Sequence, residues 1–356
     1  MEEKNIRKRE NYIDIAKTIG IILVVLGHTE FVGKNFIYQF HLPLFFFLSG
    51  VVFNIERTKD PKKFLCRRII SLYLPFVVFE VLFLIFHNFF SYINFYTNLS
   101  HVQLTYSAKD MLINILKIIT LGGGEELAGP LWFLISTFEI NIIFAILARI
   151  SQKYEKKFPI FLLIICTILF FMGCYTDLPR MLSQSLIGMF FYCCGYIFKK
   201  YSSKVNFSII GILISLLIVA TCTVFNTVDI SQLDITYKLL LIVSGLAGCY
   251  MVLGFSKKIK LLENKFFLYC GRNTIYILAL HCLFFKFVMF LEILIYNKDI
   301  KLLGMFPVYQ YSQWWSILLT IIGVLGPIVI KYLVDIIKSK ISRENNKEHM
   351  QCKQGQ

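Results

Sequence analysis

Runs of about 20 predominantly apolar residues, the length that carries a helix across a bilayer, follow one another along almost the entire chain. A segment in lipid must satisfy its own backbone hydrogen bonds, which leaves helices or a closed barrel. Barrel strands would read as short segments of alternating polarity, and the sequence has no such pattern. Composition agrees: 57% of the 356 residues are hydrophobic, 17% are charged, and Phe alone contributes 35. A water-soluble domain carries roughly 25% charged residues. The chain is therefore predicted to be all-α, a polytopic integral membrane protein built as a bundle of about ten transmembrane helices. The spans fall at 12–30, 41–54, 69–91, 130–149, 158–175, 182–198, 207–225, 236–255, 273–296 and 313–337. The second is short and is expected to extend at one end. Residues 92–129 form a longer polar stretch, in which Asp110–Leu121 reads as an amphipathic helix broken by Gly122–Gly124. One membrane-embedded domain is expected over 1–338, with a disordered cytoplasmic tail over 339–356.

A formal net charge of +15 raises the question of nucleic acid, but the distribution answers it. Lys and Arg concentrate in every second inter-span segment, beginning with the N-terminus, which is the positive-inside pattern. The basic residues thus face anionic lipid heads, no nucleic-acid partner is expected, and both termini are predicted to be cytoplasmic. The expected location is the cell membrane, with multiple passes and with 92–129 outside. Lys4–Arg9 followed by an apolar run resembles a signal peptide, yet no small-residue cleavage site follows, so the first helix is expected to be retained. The ten cysteines show no metal-ligand spacing and read as small buried hydrophobes; no metal and no bound cofactor are expected.

Ionisable side chains inside a membrane are costly, so each is a functional candidate. The first span holds Asp14, Lys17 and His28. Lys17 and His28 are eleven residues apart, close to three full turns, which places them on one face about 16 Å apart. Asp14 lies at i−3 from Lys17 and can pair with it. The plainer alternative is that Asp14 and Lys17 snorkel to one interface while His28 sits at the other. His41 opens the next span in Phe40-His41-Leu42-Pro43, followed by Leu44-Phe45-Phe46-Phe47-Leu48-Ser49-Gly50. Gly129-Pro130-Leu131-Trp132-Phe133-Leu134 begins the fourth span, and Gly271-Arg272-Asn273-Thr274 leads to His281 in the ninth.

Together these segments resemble the acyltransferase 3 family of bacterial membrane O-acyltransferases, its fucose 4-O-acetylase-like branch in particular. The family's first helix carries a basic residue, ten residues and then His, matched by Lys17 and His28. Its "FHMPLFFFLSG" segment is similar to 40–50, with Leu42 for Met; its basic pair opening the third helix matches Arg67 and Arg68; its "PLWFL" matches 130–134. Lys17 stands where many members have Arg, keeping the charge but losing the planar fork. The chain ends soon after its last span, so the extra extracytoplasmic domain of some members is not expected.

The resemblance implies transfer of an acyl group, usually acetyl from acetyl-CoA in the cytoplasm, to a hydroxyl of a cell-surface glycan. It implies acyl-CoA and a glycan acceptor as partners, with the lipid bilayer around them and glycan-assembly enzymes as further candidates. A sugar hydroxyl is a poor nucleophile at neutral pH and needs a base within hydrogen-bond reach, for which His is the usual choice. His28 is the leading candidate. His41 can orient His28, bind the acceptor, act as the base itself, or simply cap and pack. Lys17 faces the CoA side, and Arg67 and Arg68 suit its phosphates, though topology charges explain them equally well. Glu139 is expected to pair with Lys17 or Arg68, in a catalytic or a purely structural ion pair. Trp132 can line a sugar site or anchor at the interface. Arg180 is a candidate acceptor contact, and His281 reads as a packing residue. The rival class is a transporter or flippase of a lipid-linked sugar. Such proteins often carry internal repeats and interrupted helices in both halves, whereas here the polar residues crowd into the first 140 positions.

Overall fold

The computed structural model describes residues 11–152 and 158–354, with side chains described as far as Ile341; the basic stretch Lys4–Arg9 lies outside them. Fifteen α-helices occur among the described residues: α1 Asn11–Gly27, α2 Lys34–Tyr38, α3 His41–Val52, α4 Pro61–Arg68, α5 Leu74–Ile85, α6 His87–Tyr92, α7 Ala108–Ile119, α8 Trp132–Ser151, α9 Phe158–Tyr175, α10 Leu182–Tyr201, α11 Ile209–Phe225, α12 Lys238–Lys258, α13 Lys265–Arg272, α14 Thr274–Ile295 and α15 Trp315–Gln354. A two-residue hairpin, β1 Val228–Asp229 with β2 Asp234–Ile235, pairs antiparallel between α11 and α12. The protein is an all-α, multi-pass membrane bundle.

Among the described residues, seven helical stretches are long and apolar enough to cross a bilayer: Lys34–Val52, Pro61–Ile85, Glu126–Ser151, Phe158–Tyr175, Lys238–Lys258, Thr274–Ile295 and Trp315–Ile341. The expectation was about ten. The remaining predicted spans coincide with α1 and α11, each 17 residues, and with the more polar α10. The short second span extends at its N-terminal end, through α2. The third begins earlier than predicted, because Asp60 caps α4 by accepting from Lys63 N at 3.0 Å and Pro61 opens its first turn. A π-helical turn over Ile69–Tyr73 joins α4 to α5 just before Pro75, whose missing N–H interrupts the regular ladder.

The expected interfacial helix is α7. Ser107 and Asp110 close a capping box at its start, and Leu112, Ile113, Leu116 and Ile119 are exposed. The polar stretch around it is pinned by a buried cluster. His87 places Nδ1 at 2.8 Å from Glu125 Oε2 and Nε2 at 2.8 Å from Gln103 O, while the Tyr96 hydroxyl donates to the same Glu125 oxygen at 3.1 Å.

The tail beyond Lys338 is a correction. Rather than being disordered, the backbone of α15 stays helical through Gln354. Extending an existing helix needs no new nucleus, and this segment lacks Gly and Pro.

Small residues set the crossing of α3 and α10. A Cβ on Gly50 of α3 would stand 1.9 Å from Tyr192 O of α10, and one on Gly195 of α10 would stand 1.9 Å from Phe47 O of α3. The two backbones touch because both positions are glycine. One apolar cluster gathers α1, α5, α14 and α15; another gathers α3, α8, α9, α10 and the hairpin. Between these halves lies a cavity.

Candidate active site

The cavity has a volume of about 220 Å³. One of its walls is a stripe of α1 and the turn after it: Lys17, Ile21, Val24 and His28. These positions step by four, three and four residues, so the 3.6-residue turn stacks them on one face. The predicted Lys17–His28 face therefore exists, and it faces a hollow. Across from it lie His41, Phe45 and Ser49 of α3, Leu72 of the π-helical turn, and Trp132, Phe133 and Thr137 of α8. The hairpin closes one end with Asp229, Ile230 and Ser231.

His28 is held by a residue read from sequence as packing. His28 Nδ1 lies 2.7 Å from His281 Nε2, with the two rings parallel to within 7°. His281 Nδ1 in turn lies 2.9 Å from Ile277 O. A carbonyl only accepts, so His281 carries its proton on Nδ1 and offers a lone pair at Nε2. His28 must then donate from Nδ1, which leaves its own Nε2 as a lone pair. His41 shows the same polarity by simpler means: its Nδ1 donates to Ile37 O at 3.0 Å, one helical turn back. Two imidazoles, His28 and His41, thus line one cavity with their Nε2 atoms available as acceptors.

His28, His281 and Cys282 bring three metal-type ligand atoms within 4.8 Å of one another. The 2.7 Å separation of the two nitrogens is nevertheless that of a hydrogen bond. Two nitrogens on one tetrahedral zinc would stand roughly 3.3 Å apart. Cys282 Sγ, 3.4 Å from His281 Nε2, is buried and does not line the cavity.

The other predicted residues divide. Lys17, His28, His41 and Trp132 line the cavity; Asp14, Glu139, Arg67, Arg68 and Arg180 do not. Asp14 is buried and forms a salt bridge with Arg272 Nε at 3.1 Å, at the point where Gly271 of α13 meets the α1 backbone. It fastens α13 to α1. Glu139, expected against Lys17 or Arg68, instead accepts from Ser185 Oγ of α10 at 2.6 Å, because its position on α8 turns it toward that helix. Arg180 is exposed, in a left-handed turn between α9 and α10. Arg67 is exposed. Arg68 is half-buried, with its guanidinium 5.0 Å from the centre of the Phe64 ring and its Nε buried without a hydrogen-bond partner. Leu72, one turn after Arg68, lines the cavity.

A family model described as an acyltransferase domain matches residues 10–333. The chain belongs to the acyltransferase 3 family. It is a membrane acyltransferase, and the resemblance carried by the 17–28, 40–50, 67–68 and 130–134 segments is borne out. No curated protein and no solved structure matches the chain. Sequence reading missed two parts of this acyltransferase's site: His281, which holds His28 without itself lining the cavity, and the hairpin. His281 was visible as an ionisable group within a span, but the level at which α14 meets α1 is not written in either helix alone. The hairpin was passed over because its Asp-Ile-Ser-Gln turn, a typical Asx signal, lies between two longer apolar runs.

Proposed function

We propose that this acyltransferase moves an acyl group, acetyl in the first instance, from acyl-CoA to a hydroxyl of a glycan on the opposite side of the membrane. The observation that carries the reading is the cavity linking Lys17 to His28, His41 and Trp132 within an acyltransferase domain. The donor enters from the face bearing Lys17, Arg67 and Arg68, taken as cytoplasmic from the basic bias. Arg68 supports this role through a buried Nε with no partner, the kind of group a phosphate satisfies. The pantetheine arm then lies along the stripe Lys17–Ile21–Val24 and brings the thioester toward His28.

The chemistry follows from the imidazole polarity. The acceptor hydroxyl gives its proton to His28 Nε2 while its oxygen attacks the thioester carbonyl. The C–S bond breaks, an ester forms, and the proton passes to the departing CoA thiolate. His28 is positively charged between these steps. Its Nδ1–H then donates to His281 as a charged donor, a stronger bond than in the neutral pair. His281 is accordingly a positioning residue: it fixes the tautomer and favours the charged intermediate. His41 sits in the same cavity and serves the acceptor.

A positioned base contributes about 10²–10⁴-fold in rate. His28→Ala and His28→Gln are each expected to lose transfer by that factor while the protein still inserts and folds. Full transfer by both variants with loss in His41→Ala would move the base to His41. Full transfer by all three would remove imidazole base catalysis from this cavity and leave the acyltransferase with another base.

A further inference from the structure

The hairpin at the end of the cavity is built as a fixed surface. Asn226, buried just before β1, accepts at its backbone oxygen from Gln39 Nε2 at 2.7 Å, and its side-chain oxygen accepts from Tyr237 N at 2.7 Å. Ser231 O accepts from Gln184 Nε2 of α10 at 3.0 Å. Val228, Ile230 and Ile235 are buried in the cluster that includes α8 and α10. Strand and turn are thus tied to the residues preceding α3 and to α10. A site held on such supports keeps its geometry without a ligand.

Asp229 projects from this support into the cavity, and its two oxygens are used differently. Oδ1 accepts from Ser231 N at 2.9 Å, from Ser231 Oγ at 2.5 Å and from Gln232 N at 3.4 Å. That saturates one oxygen and locks the carboxylate plane. Oδ2 takes no hydrogen bond among the described residues. Asp229 is half-buried and lines the same cavity as Tyr38 and His41. Trp132 adds a flat aromatic wall to the same cavity. Among the lining residues Asp229 carries the only negative charge; the one ammonium, Lys17, lies on the far end of the α1 stripe from His28.

We infer that Asp229, carried on the hairpin, is the specificity-determining contact for an uncharged sugar, accepting hydrogen bonds from a pair of its hydroxyls while Trp132 covers the ring. A carboxylate oxygen with free lone pairs accepts two hydroxyl donors, and an aromatic face covers the C–H face of a pyranose. An acidic sugar or a phosphate would meet a fixed like charge at this end. The inference rests on the glycan-transfer reading and narrows it to a neutral acceptor residue.

The test uses the full chain in lipid nanodiscs and a direct binding readout, saturation-transfer NMR, with methyl glucoside, methyl galactoside, methyl fucoside and methyl glucuronide as probes. Asp229→Asn keeps an oxygen for the Ser231 turn but removes the charge. It is expected to weaken binding of the neutral glycosides by about 10–100-fold, the loss of hydrogen bonds to a charged acceptor, with acyl-CoA binding and melting temperature unchanged. Wild-type protein is expected to bind the glucuronide more weakly than the glucoside, and the variant to narrow that difference. Should Asp229→Asn fold poorly, Asp229→Ser keeps a turn-forming oxygen and carries the same expectation. Neutral-glycoside binding that is unchanged in a folded variant, or equal wild-type binding of glucuronide and glucoside, overturns the role of Asp229 and leaves the glycan reading standing. Acyl transfer by wild type to a non-carbohydrate, with no glycoside bound, overturns both.

Discussion

Replacing His281 by Phe removes the acceptor for His28 Nδ1–H while filling much the same volume. The expected loss follows from what that bond is worth in each state. In the resting pair it joins two neutral rings at 2.7 Å, and a neutral hydrogen bond contributes about 1 kcal/mol. With the substrate proton on His28 the donor is charged, and such bonds contribute about 1.5–3 kcal/mol. The difference of about 0.5–2 kcal/mol exists only once the proton has moved, and corresponds to roughly 2–30-fold in kcat. Loss of tautomer control adds to it, so kcat is expected to fall about 10–100-fold with the acceptor KM little changed. His281→Gln supplies a carbonyl oxygen that can accept from Nδ1, and should recover most of the rate. The assay is steady-state transfer by purified protein, with melting temperature measured alongside, since the variant also loses the bond to Ile277 O. A His281→Phe enzyme with kcat within twofold of wild type refutes the positioning role. Equal losses in Phe and Gln variants of unchanged stability do the same.

Exchanging both Arg67 and Arg68 for Gln should weaken acyl-CoA binding by about 1–3 kcal/mol per broken charged bond, read by calorimetry; unchanged affinity in a folded variant removes them from the donor site. Gly50→Ala would force a Cβ to 1.9 Å from Tyr192 O, so α3 and α10 must part, at a cost of about 1–3 kcal/mol seen as a lowered melting temperature in detergent. Gly123→Ala, whose Cβ meets nothing nearer than 3.6 Å, is the control and should melt as wild type. In an otherwise cysteine-free chain, a thiol at position 105 should react with an impermeant reagent applied outside and one at position 347 should not. The reverse pattern would exchange the donor and acceptor sides.

What the sequence made legible is what depends on one helix at a time. The Lys17–His28 stripe needed only the helical repeat, and it lines the cavity as expected. Trp132 stood inside a motif that pointed to the site, and it too lines the cavity. What stayed hidden depends on how two helices are set against each other. Asp14 was given Lys17 as an i+3 neighbour, and no local spacing could add Arg272 of α13, a partner more than 250 residues on. Glu139 was matched to cations by charge, but its rotation about α8 gives it Ser185. His281 looked like packing because nothing in α14 states that its middle meets the end of α1. Asp229 was overlooked because charge inside a span draws attention, while a short polar turn between spans resembles any loop.

The most direct test of transfer across the membrane at His28 uses sealed vesicles with the protein in one orientation. Acetyl-CoA labelled in its acetyl group is supplied only on the Lys17 face, and a glycan acceptor only on the hairpin face. Wild-type protein is predicted to leave labelled ester on the glycan and free CoA on the donor side, and His28→Ala to leave neither. Equal ester formation by His28→Ala, or passage of glycan across the vesicle wall with no ester formed, would contradict the account.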